Sequence, residues 1–131
     1  MIKTILGYDI EPGVSEEEYE QWLFDIHVPD ILANPHVDKL VFNKVTGKVP
    51  TISGGSLSIP EDLSFYRIAE MHFRDQSAYE AYRKWFAEHP IPDERSPKGR
   101  TRFKFYLVTE VTEVEQGAPG LNPSFLEDAA S

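Results

Sequence analysis

Two short stretches of this chain carry side chains able to move protons. One is Tyr66-Arg67-Ile68-Ala69-Glu70-Met71-His72-Phe73. Extended as a strand, it places Tyr66, Ile68, Glu70 and His72 on one face and Arg67, Ala69, Met71 and Phe73 on the other. Glu70 and His72, roughly 7 Å apart along that face, make an acid/base pair. Partial burial raises a glutamate towards neutrality, and histidine titrates there unaided. The other stretch is His27-Val28-Pro29, where a histidine meets a helix-breaking proline. Asp30 follows three residues on and could orient the ring. The phenols of Tyr8, Tyr66 and Tyr106 could donate to a developing enolate or phenolate oxygen, or simply supply aromatic walls. Lys104 and Arg102 could hold a substrate carboxylate or phenolate. Each feature has a plainer alternative: a polar pair on an exposed sheet, a cap at a helix end, packing, a solvated strand edge. Chemistry requires that the two stretches face one closed cavity.

The elements that must position these groups are readable. Residues 2–10 form a strand pattern ended by Glu11-Pro12-Gly13. Ser15-Glu16-Glu17-Glu18 is a capping box, and Tyr19, Trp22, Leu23 and Ile26 continue it as an apolar helical stripe. Pro29 predicts an end or kink near His27, with a short second helical piece through Ala33. A second strand is expected over 37–45, a long loop over 46–64, and a third strand over 65–73. Ser77-Ala78-Tyr79-Glu80 reads as another capping box. Ala78, Ala81, Tyr82, Trp85 and Phe86 supply that helix's buried stripe, which His89-Pro90 ends. Strand four is expected over 102–114, with Phe103, Phe105, Leu107 and Val111 as one row and Arg102, Lys104, Tyr106 and Val108 as the other. From Glu115 a Pro/Gly-rich tail reads as a peripheral arm. The expected organisation is therefore one domain over 1–114 and a C-terminal arm over 115–131.

Composition narrows the function. With 131 residues the chain suits one domain with a real core. The 13 basic and 22 acidic residues give a formal net charge of −9, which disfavours nucleic acid and anionic membranes as partners. No apolar run approaches the ~20 residues of a membrane span, and the first residues enter a strand pattern without a signal-peptide layout. A cytoplasmic protein is expected. The absence of cysteine excludes disulfides, thiolate zinc sites and a cysteine nucleophile. Four histidines without ligand spacing support no metal site, and no phosphate loop or nucleophile elbow occurs, so no cofactor is expected.

The order βαββαβ with two amphipathic helices predicts an α+β, ferredoxin-like fold: a four-stranded antiparallel sheet with both helices on one face. The Ala69/Met71/Phe73 row suits burial under the helices. The Tyr66/Ile68/Glu70/His72 row then lies on the face away from them. That face is amphipathic, and pairing between two subunits would close it into a cavity with convergent polar groups. A homodimer is expected on this reasoning.

The pattern resembles the dimeric α/β-barrel superfamily and, within it, the EthD-like proteins. Asp25-Ile26-His27-Val28-Pro29-Asp30-Ile31, followed by Asn34-Pro35-His36-Val37, is similar to that family's His-x-Pro and the turn into strand two. Ala69-Glu70-Met71-His72-Phe73-Arg74-Asp75, leading into Ser77-Ala78-Tyr79, is similar to its strand-three junction. The REDY-like subgroup, associated with pyrrole-pigment biosynthesis, also looks similar. The likeness covers residues 1–114. His36 departs from the family's usual glycine, and the 46–64 loop is longer than a minimal member's. The resemblance implies cofactor-free isomerases, dehydratases, lyases, monooxygenases or accessory proteins acting on small aromatic or polyketide-like molecules. Together these readings assign catalysis to His27, Glu70, His72 and Tyr8, and binding of a small apolar or aromatic molecule to Tyr66, Tyr106, Lys104 and Asp30. A non-catalytic carrier of a hydrophobic pathway intermediate is the alternative.

Overall fold

A computed structural model of the chain describes residues 1–47, 52–55, 65–117 and 119–120. Most of the 46–64 loop and of the expected arm over 115–131 lies outside the described residues. The elements run β1 (Ile2–Ile10), α1 (Glu16–Trp22), a π-helical turn (Leu23–His27), α2 (Val28–Leu32), β2 (Lys39–Lys44), β3 (Arg67–Phe73), α3 (Gln76–Glu88), a 3-10 turn (Asp93–Arg95) and β4 (Thr101–Glu110). The four strands form one antiparallel sheet in the order β2-β3-β1-β4, the ferredoxin-like arrangement. No helix among the described residues is long and apolar enough to cross a membrane.

Alternation and register give the sheet two distinct faces. Ile2, Thr4, Leu6 and Tyr8 of β1 and Ala69, Met71 and Phe73 of β3 are buried, and the apolar ones join Tyr19, Trp22, Leu23 and Tyr82 of the helical layer in one core. Burying an aliphatic or aromatic side chain of this size is worth roughly 1.5–3 kcal/mol. The other, open face carries Lys3, Ile5 and Gly7 of β1, opposite His72, Glu70 and Ile68 of β3. Asn34 ties the turn after α2 to the helical layer: its side-chain amide donates to the Tyr82 carbonyl (3.0 Å) and its Oδ1 accepts from the His36 amide (3.0 Å).

Three local expectations change. The third helix is capped by Asp75, whose Oδ1 accepts from the Ala78 amide at 2.8 Å, so it begins before Ser77. Strand four stops at Glu110 rather than Val114. Its two rows also fail to hold. Gly7 pairs with Phe105 and Tyr8 with Phe103, leaving Lys104 as the extra residue of a β-bulge. The bulge slips the alternation by one. Phe103 and Tyr106 thus share the helix-facing side, and Phe105 and Leu107 take the open face.

Gly7, beside the bulge, leaves room for the Phe105 ring. A Cβ there would sit 2.9 Å or less from the Phe105 Cζ and Cε1, and Phe105 is itself held edge-on by Phe65, with centroids 5.4 Å apart. Gly7→Ala should therefore destabilise the fold by about 1–3 kcal/mol, the usual cost of overpacking. In a urea-unfolding double-mutant cycle with Phe105→Ala, most of that cost should vanish; a Gly7→Ala penalty independent of Phe105 would contradict this contact.

Candidate functional site

Helix α1 does not end at the proline. Pro29 has no N–H for the carbonyl four residues back and its ring crowds that carbonyl. The chain absorbs the defect over Leu23–His27 by widening to π-helical geometry, with the Val28 amide bonded to the Leu23 carbonyl, and then resumes as α2. This widening aims His27. In an α-helix, residues five apart diverge by about 140°. Here Trp22 and His27 stack, with ring centroids 4.7 Å apart and planes at 16°. The indole is fixed in turn by its Nε1 donating to the Arg95 carbonyl at 3.0 Å.

The His27 ring lines a cavity of about 270 Å³ between the sheet and the helical layer. Its walls come from β1 (Leu6, Tyr8), β2 (Leu40, Phe42), β3 (Ala69, Met71), β4 (Phe103, Tyr106) and the helices (Tyr19, Leu23, Val28, Ile31, Tyr82, Phe86), with Ile91, Pro97 and Thr101 completing them. Burial in this apolar lining pulls His27 down to about 4, with Arg100 adding to the effect and Asp30 opposing it. The ring is neutral at physiological pH, and its buried Nδ1 has no hydrogen-bond partner among the described residues. The phenols differ in availability. Tyr19 shares a 2.8 Å hydrogen bond with Thr101, and Tyr82 donates to the Met71 sulfur at 3.3 Å. Tyr106 is half-exposed. Tyr8 borders the cavity with its ring while its hydroxyl is buried; burial, with Tyr19 alongside, pushes that phenol up.

The structure divides the residues singled out in the sequence. His27, Tyr8 and Tyr106 meet at the cavity. Glu70 borders it through its strand, but its carboxylate belongs to the open face. There it pairs with Lys3 (2.9 Å), accepts from Asn43 Nδ2 (2.9 Å) and contacts His72 Nε2 (3.1 Å). The Lys3 hydrogen bond, supported by Asn43 and His72, holds Glu70 below the usual carboxylate range, the reverse of the expected upward shift. The cavity is thus formed within one chain, on the helical side of the sheet, and not over the face that carries Glu70 and His72. Tyr66 reaches α1 instead, donating to Glu16 (3.2 Å) and Glu20. Asp30 is taken by Arg95 in a two-point ion pair, 2.9 Å at each contact, which holds it below the usual range. Lys104, at the bulge, pairs with Asp9 at 2.9 Å.

Tyr19, Tyr82, Phe86 and Phe103 also line the site but read as core or strand filler in the sequence. A phenol on an otherwise aliphatic or indole stripe was the available signal for Tyr19 and Tyr82. Among the described residues, no three His, Asp or Glu side chains gather as a metal-ligand set.

Solved structures share this architecture. HapK from Hahella chejuensis superposes with a TM-score of 0.57 at 12% identity, over 90% of this chain and 99% of that one. At3g17210 from Arabidopsis thaliana superposes with a TM-score of 0.57 at 18% identity, over 88% and 99%. At such identities the likeness gives the fold, the same small α+β arrangement. No protein-family model matches the chain, and no curated protein does.

The His27 environment has a measurable signature. The unfolded chain binds a proton near 6.5, while the folded chain binds it near 4. The contribution of this group is therefore constant above pH 7 and falls as pH drops from 6.5 towards 4, because only the unfolded state takes up the proton. Between pH 7.5 and 5 this group should remove ~2 kcal/mol. The stability of the wild type relative to His27→Gln, from urea unfolding at both pH values, should shift by about that amount. An unchanged difference would mean that His27 titrates normally.

Proposed function

We propose that this chain is a cofactor-independent enzyme of the EthD-like type within the dimeric α/β-barrel superfamily. It acts in the cytoplasm, as an isomerase, dehydratase or lyase, on a small aromatic or polyketide-like molecule of a catabolic or secondary-metabolite pathway. The observation that carries this reading is a neutral imidazole, its buried Nδ1 without a hydrogen-bond partner among the described residues, in the lining of an apolar, aromatic cavity large enough for one small ring system. Such a ring can accept a proton without first losing one. Its low proton affinity makes it a weak base while the cavity is uncharged. Negative charge developing on an adjacent substrate would restore its basicity, so the proton moves as the substrate anion forms. Exclusion of water strengthens that coupling. Tyr8 and Tyr106, both in the same lining, are the phenols available to a developing oxyanion.

The open face supports pairing between two copies. Leu107 of β4 is exposed there and Phe105 half-buried, beside the Lys3–Glu70–His72 cluster. In this reading Glu70 and His72 serve the interface and His27 serves the chemistry. Cofactor-free oxygenation is a variant of the same proton transfer, for substrates that yield a stable carbanion. A second reading, a non-catalytic carrier of a hydrophobic intermediate, is favoured by the commitment of Tyr19 and Tyr82 to internal partners, which leaves His27 with few chemical companions.

Single replacements separate these readings. With an aromatic substrate that the cavity admits, His27→Ala should lower turnover by roughly 100-fold or more while binding stays within a few-fold. His72→Ala should leave turnover nearly intact and weaken association, measured by size-exclusion with light scattering. Turnover that survives His27→Ala would remove the catalytic assignment, and binding without turnover in the wild type would favour the carrier.

A further inference from the structure

Three buried hydrogen-bond donors lie together at and just behind the inner wall of the cavity. Tyr8 lines the cavity and is 2% exposed; Arg67, directly opposite it on β3, is 8% exposed. The Tyr8 hydroxyl and the Arg67 Nε and Nη1 groups form no hydrogen bond of good geometry with the described residues, although the phenol stands close to both Tyr19 and Arg67. Only Nη2 of the guanidinium is engaged, by Glu20 Oε1 at 2.5 Å. Phe24, Phe42 and Tyr66 surround the guanidinium carbon at 5.2–5.8 Å from their ring centroids. These faces stabilise its charge, but they accept none of its remaining N–H groups in line. Phe42 is itself part of the cavity lining, so Arg67 stands one ring behind the wall.

Buried donors in native proteins find acceptors. A guanidinium held at one nitrogen still offers a planar fork suited to a two-oxygen or strongly basic one-oxygen acceptor, and a phenol O–H alongside adds a third donor. Building on the acid/base reading of the cavity, we propose that Tyr8 and Arg67 form an oxyanion subsite. It takes the ionised oxygen (carboxylate, phenolate or enolate) of an aromatic ligand whose ring fills the cavity. Glu20 balances the Arg67 charge, so the subsite works through directed donors rather than through net positive charge. That distinction matters in a chain of net charge −9, whose surface does nothing to attract an anion. The subsite also narrows the chemistry: the oxygen that it holds is the one on which charge resides after His27 takes the proton.

The test titrates 1-naphthoate and its neutral isostere 1-naphthamide into the full chain at pH 7.5 by calorimetry. The wild type should bind the carboxylate roughly tenfold or more tightly than the amide. Tyr8→Phe, which removes only the hydroxyl, and Arg67→Lys, which keeps the charge but loses the fork, should each cut that preference several-fold, the carboxylate losing much more affinity than the amide. Circular dichroism checks that each variant is folded; if Arg67→Lys is not, Tyr8→Phe decides alone. Equal binding of the two probes by the wild type, or a preference that survives Tyr8→Phe, would overturn the subsite and leave the cavity reading standing. Binding of neither probe would overturn both.

Discussion

Helix α1 cannot keep α-helical hydrogen bonding as it nears Pro29, because that residue brings no N–H and crowds the preceding turn. The site follows from how the chain absorbs this defect. One widened turn over Leu23–His27 lets the helix continue, places His27 on the same face as Trp22, and turns the imidazole into the space between sheet and helices. It also leaves Asp30 at the edge, where Arg95 pairs with it and the 3-10 turn before β4 is drawn against α1 and α2. A proline thus sets the position of the histidine and of the loop that closes over it.

A second one-residue slip works on the opposite wall. The bulge at Gly7/Tyr8 against Phe103–Phe105 brings Phe103 and Tyr106 onto the cavity side together. In each case an extra residue is inserted into a regular ladder, and in each case the residues re-aimed are those lining the cavity. Regular packing elsewhere, around Phe73, Tyr82 and the β1–β3 ladder, holds these irregular turns in place.

That division explains what could be read in advance. The element order, the two helical stripes and the faces of β3 all follow from periodicity and turn chemistry, because those segments are regular. The faces of β4 did not follow, since a bulge is invisible to a strict two-residue alternation. The partners of Asp30, Tyr66 and Glu70 were hidden for another reason. Arg95 lies 65 residues from Asp30 and Glu20 lies 46 from Tyr66, while Lys3 reaches Glu70 from a neighbouring strand. Local spacing near Pro29 suggested that Asp30 would orient the histidine; a stronger, more distant cation claimed it. Sharing a strand face likewise made Glu70 and His72 neighbours, but it could not say on which side of the sheet a cavity would open.

The stacking of Trp22 on His27 gives the molecule an optical property. The chain has two tryptophans, and both lie flat against an imidazole: Trp22 on His27, and Trp85 on the exposed His89 with centroids 4.3 Å apart. A protonated imidazole quenches an indole it touches by accepting an electron from the excited state. Intrinsic fluorescence is therefore wired to the charge of two histidines, one in the cavity and one outside it. With Trp85 replaced by phenylalanine, emission would come from Trp22 alone, and its brightness would read out, without any added label, whether the cavity imidazole carries a proton.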